Sequence, residues 1–169
     1  MRIAIVGNSG SGKSSLAHDL ETRHGWPILD LDAVFWEPGR VAVPRATAAA
    51  MSDVASFCEF NPHWVVEGCY AGLIQTAMQH SPLLLFLEPG REACLENCLN
   101  RPWEPHKYKS KQEQDQKLDF LLAWVKDYYQ RGDDQSLIAH HALFENYQGP
   151  KRKLAHRVQP NDLDHLLSM

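Results

Sequence analysis

Gly7-Asn8-Ser9-Gly10-Ser11-Gly12-Lys13-Ser14 is the stretch whose reading decides the fold. It fits the pattern Gly, four residues, Gly-Lys-Ser, which is that of a phosphate-binding loop. The flanks agree with it. Arg2-Ile3-Ala4-Ile5-Val6 reads as a short buried strand, and the residues from Ser14 to Leu20 read as an amphipathic helix. Glycines let successive backbone N–H groups turn toward one anion, and the helix N-terminus adds the positive end of its dipole. The loop residues Gly7, Asn8, Ser9, Gly10, Ser11 and Gly12 are therefore expected to wrap the phosphates of a nucleotide. Lys13 supplies a cation for the outer phosphates, and the Ser14 hydroxyl is a candidate ligand for Mg²⁺.

Outward from the loop, five short apolar runs read as strands: Ile3–Val6, Ile28–Leu31, Trp64–Val66, Leu83–Leu87 and Lys153–Val158. The first four are continuous rather than alternating, the pattern of strands covered on both faces in a parallel sheet. Helical segments fall between them. They are Ser14–His24, Arg45–Phe60, Ala71–His80, Glu92–Arg101, Gln114–Arg131 and Asp134–Tyr147, and a last one over Asn161–Met169. Strands alternating with helices predict an α/β fold with right-handed crossovers. The expectation is one domain over residues 1–169. The segment 101–117, rich in charge and proline, reads either as a solvated loop or as a mobile lid over the nucleotide.

Composition narrows the function classes. A net charge of −4 argues against a general nucleic-acid binder. The longest apolar run, Leu83–Leu87, is too short to span a bilayer. A strand starting at residue 2 leaves no room for a secretory signal, so a cytoplasmic protein with reduced cysteines is expected. Cys58, Cys69, Cys94 and Cys98 show no zinc or redox spacing and read as packing residues. The nine histidines show no metal-ligand pattern, and the adjacent His140 and His141 point in different directions on a helix.

Chemistry is sought at the carboxyl ends of the strands, where parallel sheets bind ligands. Strand two ends in Asp30-Leu31-Asp32, and alternation along a strand places the two carboxylates on one face. Asp32 is the candidate proton acceptor for an attacking hydroxyl, and Asp30 a candidate holder of Mg²⁺ waters. Strand three ends in Glu67-Gly68 and strand four in Glu88-Pro89-Gly90; Glu67 is the preferred metal-organising acid. Candidate cations are Arg40, Arg91, Arg101, Lys107, Lys109, Lys111 and Arg157. Arg101, at the mouth of the lid segment, is the preferred partner for the moving phosphoryl group, and Arg157 a candidate contact of the nucleotide. Phe35 and Trp36 are candidate walls of an acceptor pocket.

The run from Met1 to Asp32, with Leu31-Asp32-Ala33-Val34-Phe35-Trp36 and then Trp64-Val65-Val66-Glu67-Gly68-Cys69-Tyr70, resembles the bacterial adenylate-kinase-like proteins labelled "topology modulation" proteins. Leu84–Pro89 and Lys117–Val125 look like later blocks of that family. The resemblance implies a P-loop fold of the nucleoside and nucleotide kinase type, with a five-stranded parallel sheet in the order 2-3-1-4-5 and helices on both faces. It implies ATP contacts at Gly10, Gly12, Lys13, Ser14 and Ser15. The chain departs from the family's pattern at Glu67-Gly68-Cys69, where Asp-Gly-Asn is expected, and at Glu88, where Asp is expected. It also lacks the Asp-Gly-Phe-Pro-Arg block of adenylate kinases, so nothing points to AMP as acceptor. Two functions remain open at this level. One is a phosphotransferase that uses ATP and Mg²⁺ on a small hydroxyl or phosphate acceptor. The other is a nucleotide-dependent regulatory module acting on a protein or nucleic-acid partner.

Overall fold

Five strands pair in parallel, in the order β2-β3-β1-β4-β5: β1 (Arg2–Gly7), β2 (Ile28–Asp30), β3 (Trp64–Gly68), β4 (Leu83–Leu87) and β5 (Lys151–Leu154). This is the order implied by the family resemblance. The structure, a computed structural model, describes residues 1–38, 43–104, 109–159 and 162. Arg40, Lys107 and most of the helix expected over Asn161–Met169 lie outside the described residues.

The helices are α1 (Lys13–His24), α2 (Asp32–Phe35), α3 (Thr47–Phe60), α4 (Ala71–Met78), α5 (Arg91–Leu99), α6 (Lys111–Gln116), α7 (Leu118–Asp127) and α8 (Leu137–Asn146). Alternation along the strands sends side chains to two faces. Ile3, Ile5, Val65, Leu83, Leu85 and Leu87 meet Leu16, Ala17 and Leu20 of α1. Ala4, Val6, Val66, Leu84 and Phe86 meet Val54 of α3, Ile74 of α4 and Leu143 of α8. Strands buried on both sides explain the near-continuous apolar runs. Each fully buried aliphatic or Phe side chain contributes about 1.5–3 kcal/mol. A smaller cluster of Cys94, Cys98 and Val125 joins α5 to α7. All four cysteines are free, and burial pushes the Cys58 thiol up to about 12 and the Cys94 thiol up to about 11.

Three sequence expectations shift. The long helix expected over Gln114–Arg131 is two helices, with Lys117 at φ −93°, ψ −2° closing α6 and opening α7. Part of the segment 101–117 is thus helical, and Ser110 caps α6 by accepting the Glu113 N–H at 3.1 Å. The fifth strand begins at Lys151, two residues earlier than expected. There the Lys151 ammonium closes the end of α8 by donating to the carbonyls of Phe144, Glu145 and Tyr147. Among the described residues no helix is long and apolar enough to cross a membrane.

Candidate functional site

The loop between β1 and α1 is held from below by two later helices. Gly10 has φ 76°, and a Cβ there would lie 2.3 Å from the Cys94 carbonyl oxygen and 2.8 Å from Cys98 Sγ. Only glycine allows α5 to approach this closely. The Asn97 amide of α5 donates to Gly10 O at 2.8 Å. The Asn8 amide donates to Val125 O of α7 at 3.0 Å, while its own Oδ1 accepts the Ser9 N–H at 2.8 Å. The Asn8 side chain is therefore turned to α7. Gly12, the N-cap of α1, takes φ 98° and has open space where a Cβ would stand.

Lys13 and Ser11 are buried polar groups of the loop. The Lys13 ammonium, largely buried, donates to Asn8 O at 2.9 Å. Ser11 Oγ is buried and has no hydrogen-bond partner among the described residues. Ser14 and Ser15 are exposed on the first turn of α1, and Ser9 is half-buried. An orphaned hydroxyl, a glycine cradle and a buried ammonium suit a polyphosphate.

Ser14 and Glu67 come together: the Ser14 hydroxyl donates to Glu67 Oε1 at 2.7 Å. The strand register explains the meeting, because Glu67 pairs with Ile5 of β1 and with Asp30 of β2, at the edge where the loop begins. Glu67 is almost fully buried. Glu88 has a different neighbourhood, paired with Lys153 of β5 and 3.4 Å from His141 Nε2.

The expectation that Asp30 and Asp32 share one strand face is corrected. The strand ends at Asp30, and Leu31 turns into helical geometry at φ −66°, ψ −20°. Asp30 Oδ1 instead accepts the Asp32 N–H at 2.9 Å, a local bond that starts α2. Asp32 then stands at the first position of that short helix and accepts a hydrogen bond from the Tyr70 hydroxyl at 2.6 Å. Tyr70 was not singled out from the sequence. A polar aromatic just past a strand's terminal glycine, at the ligand-binding edge, is the signal that marks it. Phe35 stacks on Tyr70 with ring centroids 4.1 Å apart and meets Trp36 edge-on at 4.7 Å.

The expected cations are mostly engaged. Arg101, beyond the end of α5, pairs with Glu104 at 3.1 Å. Arg101 and Lys13 both hold down the thiol of Cys98 against the upward push of burial, so both lie near the loop's floor. Arg157 pairs with Glu96 of α5. Arg91 lies over the Tyr129 ring at 4.9 Å. Lys111 pairs with Asp115 at 2.5 Å, and the Lys109 backbone N–H donates to Glu113.

Beneath the carboxyl edge lies a group that sequence reading assigned only to structure. His140 is fully buried between the Tyr128 hydroxyl and Cys69 O, each at 2.8 Å. Burial lowers its pKa to about 4, against an upward pull from the Cys69 carbonyl and with lesser downward contributions from the charges of Lys13 and Arg131. The neutral ring donates Nε2–H to that carbonyl, fixing the backbone just past Glu67. Arg131 is a second residue missed by sequence reading. Its guanidinium lies 3.6 Å from the Trp124 ring centroid and donates to Trp124 O and Gln135 O. Cys69 donates its thiol to Gln135 Oε1 at 3.4 Å, and burial pushes that thiol up to about 12.

No family model and no curated protein sequence matches the chain. Solved structures do. A shikimate kinase from Bacteroides thetaiotaomicron is 15% identical, with a TM-score of 0.59 over 100% of this chain and 99% of that one. A gluconokinase from Sinorhizobium meliloti 1021 is 17% identical, with a TM-score of 0.50 over 99% of this chain and 87% of that one. The YorR protein of Bacillus subtilis, solved in complex with phosphorylated GDP, is 9% identical, with a TM-score of 0.56 over 99% and 96%. The topology-modulation family is not among these matches, and the likeness speaks to fold alone. The sheet order, the Gly-Lys-Ser loop at the end of the first strand and these neighbours together make this a chain with the P-loop kinase fold.

Proposed function

We propose that the protein is an ATP-dependent phosphotransferase acting on a hydroxyl of a small polar molecule. The observation that carries this reading is the Ser14 to Glu67 contact of 2.7 Å at the mouth of the phosphate loop, with Asp32 across the same edge. The loop's N–H groups and Lys13 hold the phosphates. Ser14 and Glu67 are the residues that would hold a Mg²⁺ ion there. When bound, that ion neutralises charge building between the outer phosphates. No three His, Cys, Asp or Glu side chains among the described residues form a metal cluster, so phosphate and water would have to supply the ion's other ligands.

Asp32 orients the acceptor hydroxyl. As the hydroxyl oxygen bonds to the γ-phosphorus, its proton passes to Asp32 and the bond to the bridging oxygen breaks, releasing ADP. Asp30 serves this step indirectly, by seating the Asp32 backbone. Arg101 is assigned to the transferring group once it leaves Glu104, and Arg157 to the nucleotide's base side. The neighbours' names motivate the acceptors to screen first, gluconate and shikimate, followed by other polyols and nucleosides. Lys13→Ala should weaken ATP binding strongly, because a charge-assisted contact disappears. Asp32→Asn should leave ATP affinity within about threefold and lower turnover by roughly 10²–10⁴. Calorimetry showing unchanged ATP·Mg²⁺ affinity in Lys13→Ala overturns the reading.

A further inference from the structure

Asp32 does not act alone. Resting on the phosphotransferase reading above, we infer that Tyr70 is a positioning residue for Asp32, holding its carboxylate in the orientation that receives the acceptor's proton. Tyr70 occupies the N-cap position of α4, is 2% exposed, and donates its hydroxyl hydrogen to Asp32 Oδ1 at 2.6 Å. Asp32 sits in a helix of only four residues, joined to β2 by one turn residue, so the backbone alone gives the carboxylate little fixation. The phenol supplies it.

The direction of this bond is set by its surroundings. Burial, then the charge of Asp32, pushes the Tyr70 phenol far above its ordinary range, so it stays protonated and acts as a donor only toward Asp32. The Trp36 indole N–H also acts on the Tyr70 oxygen. An indole can only donate. It therefore claims the phenol's acceptor side and leaves the phenol hydrogen for the carboxylate. Phe35 stacks on the Tyr70 ring at 4.1 Å and 24°, which prevents the ring from swinging away. A carboxylate has about four lone-pair sites, so holding one oxygen still leaves room to accept from a substrate hydroxyl. Tyr70 is thus excluded as the base itself and fitted as the group that aims the base.

The test is a double-mutant cycle on ADP formation from ATP·Mg²⁺, with water as acceptor or with any acceptor the screen finds. Tyr70→Phe keeps the ring on Phe35 and removes only the hydroxyl. It should leave the KM for ATP within about twofold and lower kcat about tenfold, the scale of a modest misplacement of a reacting group. In an Asp32→Asn background the same change should cost less than about twofold, because there is no base left to aim. Equal losses in both backgrounds, or a raised KM with unchanged kcat, overturn the inference while leaving the kinase reading intact. A wild-type protein that forms no ADP under any of these conditions overturns the kinase reading and this inference with it.

Discussion

Glu67 and Glu88 are the same residue near the carboxyl ends of two fully buried strands, yet they face different chemistry. Glu67 ends β3 beside the phosphate loop, and its carboxylate meets a serine hydroxyl. Glu88 follows β4, on the far side of β1, and its carboxylate meets the Lys153 ammonium and His141. A carboxylate already neutralised by the protein's own cation has little left to offer a metal ion. Two adjacent histidines of α8 repeat the division, His140 bonding beneath the Glu67 side and His141 touching Glu88.

The comparison breaks most sharply on metal dependence. Glu67→Gln should weaken apparent Mg²⁺ affinity in the presence of ATP by about 10–100-fold, the usual loss for an outer-shell group, with Mg²⁺-free ATP binding within about twofold. Glu88→Gln should leave the Mg²⁺ titration unchanged. Calorimetric titration of both variants decides between them, and equal losses would erase the distinction drawn here.

The next effect separates the two histidines. The folded-state pKa of His140, about 4, lies below its ordinary value of 6.5, so the folded chain binds fewer protons there than the unfolded one. Stability from this site is complete above the unfolded value and drains away as pH falls toward the folded one. Between about pH 7 and about pH 5 the loss should be about 2 kcal/mol. Urea unfolding across that range should show a clearly shallower slope in His140→Gln, whereas His141→Gln should retain the wild-type slope. The smallest effect belongs to Glu88 as a structural group. Glu88→Gln removes one side of a half-buried ion pair and should lower the melting temperature by about 2–4 °C, for a loss of about 1 kcal/mol. A larger drop would mean that β5 depends on this pair more than its hydrogen bonds indicate.

Much of this was legible in the order of residues, for identifiable reasons. The three inner runs read as strands because parallel strands covered on both faces leave no polar alternation. The loop read clearly because few glycine spacings place a lysine and a serine at a helix start. What escaped was set by partners distant in sequence. Tyr70 reaches a carboxylate 38 residues away, and no local pattern announces that bond. The break between α6 and α7 falls at Lys117, with no Gly or Pro to mark it. Asp32 was read as a strand residue because Ile28–Leu31 has strand composition, but the carboxylate of Asp30 captures the next free N–H and starts α2 early. The Asn8 side chain serves α7, a partner 117 residues away that no local pattern announces.

The two amide bonds that fasten the phosphate loop to α7 and α5 span 117 and 87 residues of chain. Synthesis delivers the chain from its first residue onward, at about 5–20 residues per second. The loop therefore leaves the ribosome several seconds before Asn97 and Val125 exist to support it. A nascent chain stalled after α4 would carry the whole Gly-Lys-Ser motif and still lack the floor that shapes it. The part of this sequence that declares itself first takes its shape only after residue 125 has been made.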